Sequence, residues 1–560
     1  MLLEFRAQAE KALADALRAL DHKPPGAPVR TWLEPSPHAD LSTRVCFNLA
    51  SKDPAKLAAD VAARIRPSGL LGEVKAQGPY LNFSAAPAFH LQALKKILDE
   101  GDRYGSLNRA GRVVLEHTSA NPDGPLHIGH LRNALLGDSL ARILRRAGHE
   151  VQTHYYANDM GRQIGVLAWG LRHFEFNPGK KPDHAVAEVY IAANRALEKE
   201  PEKAGEVTRL LLKYEAREPD AVALFRRGVQ RCLDGIRATL DRLGAVHDEV
   251  VWESQFAGEA AEILKEVEKL PGALRTPDGA RGLALEGFEK ELMLVRSDGT
   301  SLYASRDLAY HRWKGHRGAM IDVLGEDHKL YARQLAAALK LLKLPAPETV
   351  HFEFVSLPEG SMSTRAGTYV AVDDLLDQVE AEAQKQAEAR RGAELDAKKI
   401  REISRAVALA AIRFDVLKVS AEKPTVFDWR TALDFEKRGG PFILYAHTRA
   451  AAILRKAAEQ GLKPAPPEEP EAFGAPERGM VRELSRFRLV LEEAVELRRP
   501  HLVAVYAQEA AEKFNQFYRD VRVLQAPEAL RGARLAVVAA CGVVLRNALE
   551  CLGIEAIEEM

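Results

Sequence analysis

The sequence predicts a multidomain α/β chain closed by an all-α third, and three observations carry that prediction. At roughly 100–200 residues per domain, 560 residues imply about three or four domains. Short β-branched runs followed by helical stretches occur twice in the middle of the chain, from Arg112 to Thr118 and again from Ala319 to Leu324, so two halves of one parallel sheet are expected. From about Asp373 the strand signals stop, and Ala, Leu, Glu and Arg dominate to the end, as in a helical bundle.

Residues 1–108 read as a compact α+β module. Leu13, Leu17 and Leu20 recur at helical spacing, and Lys23-Pro24-Pro25-Gly26 then breaks the pattern. Residues 109–370 carry the strand-loop-helix rhythm of a nucleotide-binding sheet. Within them, about 170–290 is mostly helical and charged, and is expected as an insertion outside that sheet. Residues 371–560 form the helical domain, interrupted mainly at Lys463-Pro464-Ala465-Pro466-Pro467, and no internal repeat is found.

With 46% hydrophobic and 28% charged residues, a disordered, collagenous or disulfide-stapled chain is excluded. Cys46, Cys232, Cys541 and Cys551 form no C-x-x-C pair, so neither a disulfide framework nor a zinc ribbon is encoded and a reducing, cytoplasmic setting is expected. The charged start MLLEFRAQAEKALADALRAL reads as a helix, not a signal peptide. The longest apolar run, Leu535 to Leu545, falls short of the ~20 residues that span a bilayer, so no membrane segment is expected.

Lys+Arg and Asp+Glu both number 79, and a net charge of zero argues mildly against a nucleic-acid partner. The balance is a cancellation, however: 401–460 holds eleven basic and seven acidic residues, whereas 251–300 holds six and ten.

The most informative stretch is Glu116-His117-Thr118-Ser119-Ala120-Asn121-Pro122-Asp123-Gly124-Pro125-Leu126-His127-Ile128-Gly129-His130-Leu131-Arg132-Asn133. It follows an expected strand and opens a helix, where unpaired backbone N–H groups and the helix dipole attract phosphate. His127 and His130 share one face of the first turn and would donate to phosphate oxygens, while Gly129 leaves room for a base or ribose. Two histidines at this spacing are more often a surface pair or stray metal ligands; the strand-loop-helix setting favours the phosphate site.

The His127-Ile128-Gly129-His130 string resembles the signature of the class I aminoacyl-tRNA synthetases, on the first βα turn of a Rossmann-type domain. The longer run, with Ser119-Ala120-Asn121-Pro122 before it and Leu131-Arg132-Asn133-Ala134 after it, resembles the arginyl-tRNA synthetases in particular. Further blocks agree in order: Asn158-Asp159-Met160-Gly161-Arg162-Gln163, Tyr303-Ala304-Ser305-Arg306-Asp307, Gly325-Glu326-Asp327-His328, and Leu433-Asp434-Phe435 with Tyr445-Ala446-His447-Thr448-Arg449. The resemblance implies an ATP-dependent ligase that activates arginine as its adenylate and passes it to the 3′-terminal ribose of tRNA. ATP would come with Mg²⁺, zinc is not implied, and a monomer is expected.

By the same resemblance, Glu116, Asn121, His127, Tyr303 and Asp307 contact arginine. A guanidinium is a planar fork that a carboxylate meets bidentately, which makes Asp307 the leading partner; a packing tyrosine and a helix N-cap are the plainer readings of Tyr303 and Asp307. Pro125, Leu126, His127, Gly129, His130, Gly325, Asp327, His328, Met362 and Ser363 are implied in ATP binding, the carboxylate of Asp327 at the ribose; a simple strand-to-helix turn is the alternative for 325–328. Gly360-Ser361-Met362-Ser363-Thr364-Arg365 resembles the family's mobile phosphate loop, but Ser361 and Thr364 stand at its lysine positions and Gly124 offers no substitute. The missing cation comes from Arg365, from another residue or from Mg²⁺; Arg365 is the favoured one, beside His127 and His130 as catalytic residues.

The helical third resembles the family's anticodon-binding domain, with Tyr445, His447, Arg449, Tyr518 and Arg522 as aromatic and basic RNA contacts. The first 108 residues resemble the module that touches the tRNA D-loop, through Tyr80 and Asn82; an ordinary strand with those two residues outward and Leu81 and Phe83 inward is the alternative. The competing functions are a class I synthetase of another specificity and a non-catalytic tRNA-binding protein.

Overall fold

The computed structural model describes residues 1–23, 33–36, 39–49, 52–358 and 370–560. The first unit pairs helix Leu2–Arg18 with a three-stranded antiparallel sheet of β1 (Leu41–Thr43), β2 (Leu71–Gln77) and β3 (Tyr80–Ala85), in the order β1-β3-β2. Along β3 the side chains alternate, Leu81 and Phe83 fully buried and Tyr80 outward, because successive strand residues face opposite sides.

Five parallel strands form the central sheet: β4 (Arg112–Glu116), β5 (Glu150–Ala157), β6 (Glu249–Trp252), β10 (Ala319–Gly325) and β11 (Glu348–Phe352), in the order β11-β10-β4-β5-β6. The chain runs outward from β4 in both directions, so the topological switch lies between β4 and β10, where open α/β sheets place their ligands. One rung there aligns Asp322, Glu116, His154 and Glu249 across four neighbouring strands.

The expected insertion at about 170–290 is only partly outside this sheet. Helices Pro182–Lys199, Ala204–Glu215 and Pro219–Leu243 are, but β6 is the sheet's edge strand. Four residues between long helices are too short to raise a period-2 signal. Beyond β6, β7 (Ala273–Arg275), β8 (Arg281–Leu283) and β9 (Leu292–Val295) form a small antiparallel sheet.

The helical third is not detached from the sheet domain. Helix Ala397–Leu417 packs on helix Ile128–Ala147, and β13 (Thr425–Val426) pairs with β12 (Val355–Ser356). Two fully buried arginines lock the junction. Arg132 donates to the carbonyls of Glu353 and Lys423 at 2.6 Å and of Ser420 at 2.9 Å. Arg413 donates to the carbonyls of Leu243 and Leu552 at 2.6 Å and pairs with Asp138. Helices Gly440–Glu459, His501–Asp520 and Glu528–Cys551 build the bundle itself, and Arg391 Nη1 ties down the Met560 carbonyl at 2.6 Å. Among the described residues no helix is long and apolar enough to cross a membrane.

Candidate active site

A cavity of about 450 Å³ opens at the switch point, lined by residues of β4, β10 and the elements that follow them. Its floor is a strained turn: Thr118 and Ser119, directly after β4, both have positive φ, at 68° and 38°. Such backbone persists only where its surroundings hold it. Here the Asn133 side chain accepts from the Thr118 N–H at 2.9 Å, and Ser119 Oγ accepts from the Tyr156 N–H at 3.0 Å while lying 3.2 Å from Glu116 Oε1.

Behind the turn, His117 stacks on His247, centroids 4.0 Å apart. Burial lowers the pKa of His247 to about 4, against the pull of its bond to the His117 carbonyl. The depressed value means the unfolded chain takes up a proton that the folded chain refuses, so the stability is complete above the ordinary value of about 6.5 and falls as the pH drops towards 4. His247→Phe should therefore flatten the pH dependence of unfolding over that interval by about 1.4 kcal/mol per pH unit, measured by urea titration at several pH values.

His127 caps helix Ile128–Ala147 as part of a reciprocal capping box. Its Nδ1 accepts the Gly129 N–H at 3.1 Å, and His130 Nδ1 accepts the His127 N–H at 3.3 Å. The two rings stack at 3.8 Å. Burial lowers both pKa values, that of His130 to about 3 with His127 adding to it. With both Nδ1 atoms accepting, each neutral ring carries its proton on Nε2, a donor suited to oxyanions. Gly129 serves this arrangement: a Cβ there would come within 2.8 Å of the His127 ring. The expected space for a base or ribose is thus first the space His127 needs. Pro125 and Leu126 are buried and do not line the cavity; the Leu126 carbonyl accepts the Val372 N–H at 2.8 Å.

Helix Tyr303–Gly315 lays Tyr303, Asp307, His311 and Lys314 along one face at steps of four, four and three. Glu116, Glu253, Asp307, Asp322 and Asp327 line the cavity, and four of these carboxylates have cationic or histidine partners. Glu253 meets the buried Arg306 at 2.6 Å, although burial still pushes its carboxyl up to about 7. Lys314 bridges Glu116 at 2.9 Å and Asp322 at 2.5 Å, and Asp327 lies 3.6 Å from His328. Among the described residues Asp307 has no ion pair; its Oδ2 accepts from Tyr331 Oη at 2.5 Å, and the half-exposed Tyr303 packs edge-on to the Tyr331 ring.

Asn121 is exposed at the rim and donates to Gln163 at 2.8 Å. Gly325 opens the 3-10 turn Glu326–His328, and a Cβ on it would meet Asp327 Oδ1 at 2.5 Å. Met362, Ser363 and Arg365 lie outside the described residues; the chain re-enters at Val370, whose carbonyl accepts the Ile128 N–H at 3.3 Å. Lys314, Asp322, Asn133 and Glu253 were missed by sequence reasoning. The signal for Lys314 was available, since it continues the stripe of Tyr303, Asp307 and His311.

In the bundle, the Arg449 guanidinium lies between two exposed rings, 4.6 Å from Tyr445 and 4.7 Å from Tyr518. His447 is corrected: it is only 1% exposed and cannot meet RNA directly. At 100° per residue, a position two after Tyr445 points to the opposite side of the helix, whereas Arg449, four after it, shares its face. Arg522 is exposed, and Phe514 and Phe517 pack the core. In the first unit, Tyr80 stands exposed edge-on to Phe47 at 5.5 Å, and Asn82 accepts from Ser42 Oγ at 2.5 Å.

The only metal-type cluster among the described residues, Asp183, His184 and Asp373, is held by an ammonium: Lys181 Nζ lies 3.0 Å from Asp183 and 2.7 Å from Asp373.

Three family models match the chain. "tRNA synthetases class I (R), catalytic domain" covers residues 93–429, "DALR anticodon binding domain" 443–560, and "Arginyl tRNA synthetase N terminal domain" 7–85. An arginine–tRNA ligase of Methanococcoides burtonii is 44% identical over the whole of both chains. One of Archaeoglobus fulgidus is 46% identical over 95% of this chain and 97% of its own. Among solved structures, Thermus thermophilus arginyl-tRNA synthetase superposes with a TM-score of 0.84 at 29% identity, over 99% of this chain and 100% of that one.

Proposed function

The chain belongs to the arginyl-tRNA synthetase family, and from that premise we propose how its residues carry out arginine activation and transfer to tRNA. The arginine carboxylate attacks the α-phosphate of ATP, pyrophosphate leaves, and the adenylate then gives arginine to the 3′-terminal ribose of the tRNA. No covalent enzyme intermediate is required, so positioning and electrostatics supply the catalysis.

The observation that carries this reading is Asp307, which among the described residues has no ion-pair partner and offers a guanidinium a bidentate acceptor in a site where Glu116, Glu253 and Asp322 already answer buried cations. Tyr303 packs along the aliphatic stem, and Asn121 with Glu116 Oε1 receives the ammonium and carboxylate end. His127 and His130 donate from Nε2 to the α-phosphate, and the helix beginning at Ile128 adds its N-terminal dipole. Gly325 lets ATP approach the backbone, Asp327 accepts from the ribose hydroxyls, and His328 borders them. Pro125 and Leu126 act by shaping the turn that presents His127.

Met362, Ser363 and Arg365 meet the ATP phosphates, Arg365 supplying the cation that the family's loop lysines supply elsewhere; Mg²⁺ arrives with ATP. Tyr445, Arg449, Tyr518 and Arg522 stack on and neutralise the anticodon strand, while Tyr80 and Asn82 face the D-loop. His447 supports the helix that carries Tyr445 and Arg449. Action as a monomer in the cytoplasm is part of this reading.

Exchange of labelled pyrophosphate into ATP tests the reading, run with each amino acid, with and without a tRNA bearing an arginine anticodon. Exchange with arginine in the presence of that tRNA is expected. Exchange with another amino acid alone would assign a different specificity, and no exchange or charging under any condition would leave a tRNA-binding protein.

A further inference from the structure

We propose that Lys314 is a positioning residue for arginine: a fixed internal ammonium that, with His311 on the second oxygen at 2.9 Å, saturates Asp322 and holds Glu116 by one oxygen, so that Glu116 Oε1 faces the substrate while Asp307 is left for the guanidinium. The proposal rests on the function given above and goes beyond it, because Lys314 touches no substrate.

Lys314 is fully buried. A buried ammonium is costly unless its charge is met on several sides, and here it is. Glu116 Oε2 lies at 2.9 Å, Asp322 Oδ1 at 2.5 Å, and the face of the Tyr310 ring at 4.6 Å. Burial works against the charged form, but Asp322 and Glu116 outweigh it and hold the ammonium's pKa above its ordinary value. Glu116 and Asp322 occupy the same rung of adjacent strands β4 and β10, so their side chains converge. Two carboxylates so placed repel each other and would share a proton without a cation between them.

The other oxygen of Glu116 engages Ser119, whose Oγ in turn takes the Tyr156 N–H. Lys314 therefore fixes, through Glu116, the strained turn at 118–119 that forms the cavity floor. It also occupies the acceptors at which an incoming guanidinium could otherwise dock in the wrong register. A specific site needs such competing acceptors silenced as much as it needs the correct one free.

The test compares wild type with Lys314→Ala in arginine-dependent pyrophosphate exchange with tRNA present. Absence of arginine-dependent exchange in the wild type would reject the functional reading itself. With the wild type active, Lys314→Ala should raise the KM for arginine about tenfold or more, leave the KM for ATP within about twofold, and regain arginine affinity when propylammonium replaces the deleted propyl-amine segment. An unchanged arginine KM, an equal rise in both KM values, or no response to propylammonium would overturn the proposal.

Should Lys314→Ala fail to fold, Lys314→Met/Asp322→Asn removes one charge of each sign and serves instead. Restored folding with the arginine KM still raised supports positioning of Glu116. Restored folding with a wild-type arginine KM would overturn it and reduce Lys314 to charge balance. If this variant also fails to fold, Asp322→Asn alone decides. It leaves the Lys314–Glu116 pair in place, so an arginine KM within about threefold of wild type supports the proposal and a tenfold rise overturns it.

Discussion

Asp307→Ala lowers kcat/KM for arginine by about 10³-fold or more while the KM for ATP stays within about twofold, as read by pyrophosphate exchange with tRNA present. The size follows from what is lost. Of the cavity's carboxylates, Glu116, Glu253 and Asp322 already answer buried cations, whereas among the described residues the side chain of Asp307 meets the hydroxyl of Tyr331, in the first turn of helix Lys329–Leu341. Removing Asp307 takes away the carboxylate set on the Tyr303–Asp307 face, and neither Glu253 nor Glu116 nor Asp322 can replace it without abandoning Arg306 or Lys314, while Asp327 sits beyond β10 beside His328. Asp307→Asn sharpens the point. It keeps the volume and an acceptor for Tyr331 but not the charge, so a loss close to that of alanine assigns the effect to charge. Retained arginine affinity in either variant would remove Asp307 from the guanidinium site.

Arg413→Met should cost about 3–5 kcal/mol of stability, measured by urea unfolding, with the loss shared by the sheet domain and the helical third. Arg413 has no exposed surface and satisfies three elements at once: Asp138 on the helix that begins at Ile128, the C-terminal carbonyl of Leu243, and that of Leu552. Both carbonyls end helices that turn off through left-handed glycines, Gly244 and Gly553, where unpaired carbonyls are otherwise left over. The substitution fills some of the volume but leaves these acceptors buried and unmet. Arg142→Met is the control: Arg142 also meets Asp138, at 2.8 Å, but is one-third exposed, and about 1 kcal/mol is expected from it. A loss from Arg413→Met no larger than the control's would show that the junction is not held through this side chain.

The same junction changes what deleting residues after about 370 would mean. Read from the sequence alone, such a cut removes the RNA-binding third. In the folded chain it also removes the carbonyls of Ser420 and Lys423 from buried Arg132 and the whole of Arg413 from Asp138. Among the described residues, the catalytic half would keep only the Glu353 carbonyl for Arg132 and only Arg142 for Asp138, so point substitutions at Tyr445, Arg449 or Tyr518 are the cleaner way to question RNA binding.

Much of the site was legible because it is encoded locally. The break from β-branched strand to helix places His127 and His130 on a first helical turn, and the steps from Tyr303 to Asp307 and from Tyr445 to Arg449 each define one helix face. Period-2 alternation set Tyr80 outward. Failures came where proximity in sequence stood in for geometry, as at His447, or where an element was too short for its period, as at β6.

What the sequence by itself determined is therefore the order of elements, the phosphate-type turn and the identity of the family, all written in short-range pattern. Only the tertiary structure decided which carboxylate is available to substrate and which charges are internal. Lys314 and Glu116 stand 198 positions apart, Arg413 and Asp138 275 apart, and Arg132 finds its acceptors nearly 300 positions downstream. A lysine or arginine in a helical stretch reads as a solvated charge until folding brings it beside a partner, because burial and pairing are properties of the assembled core and not of the local chain.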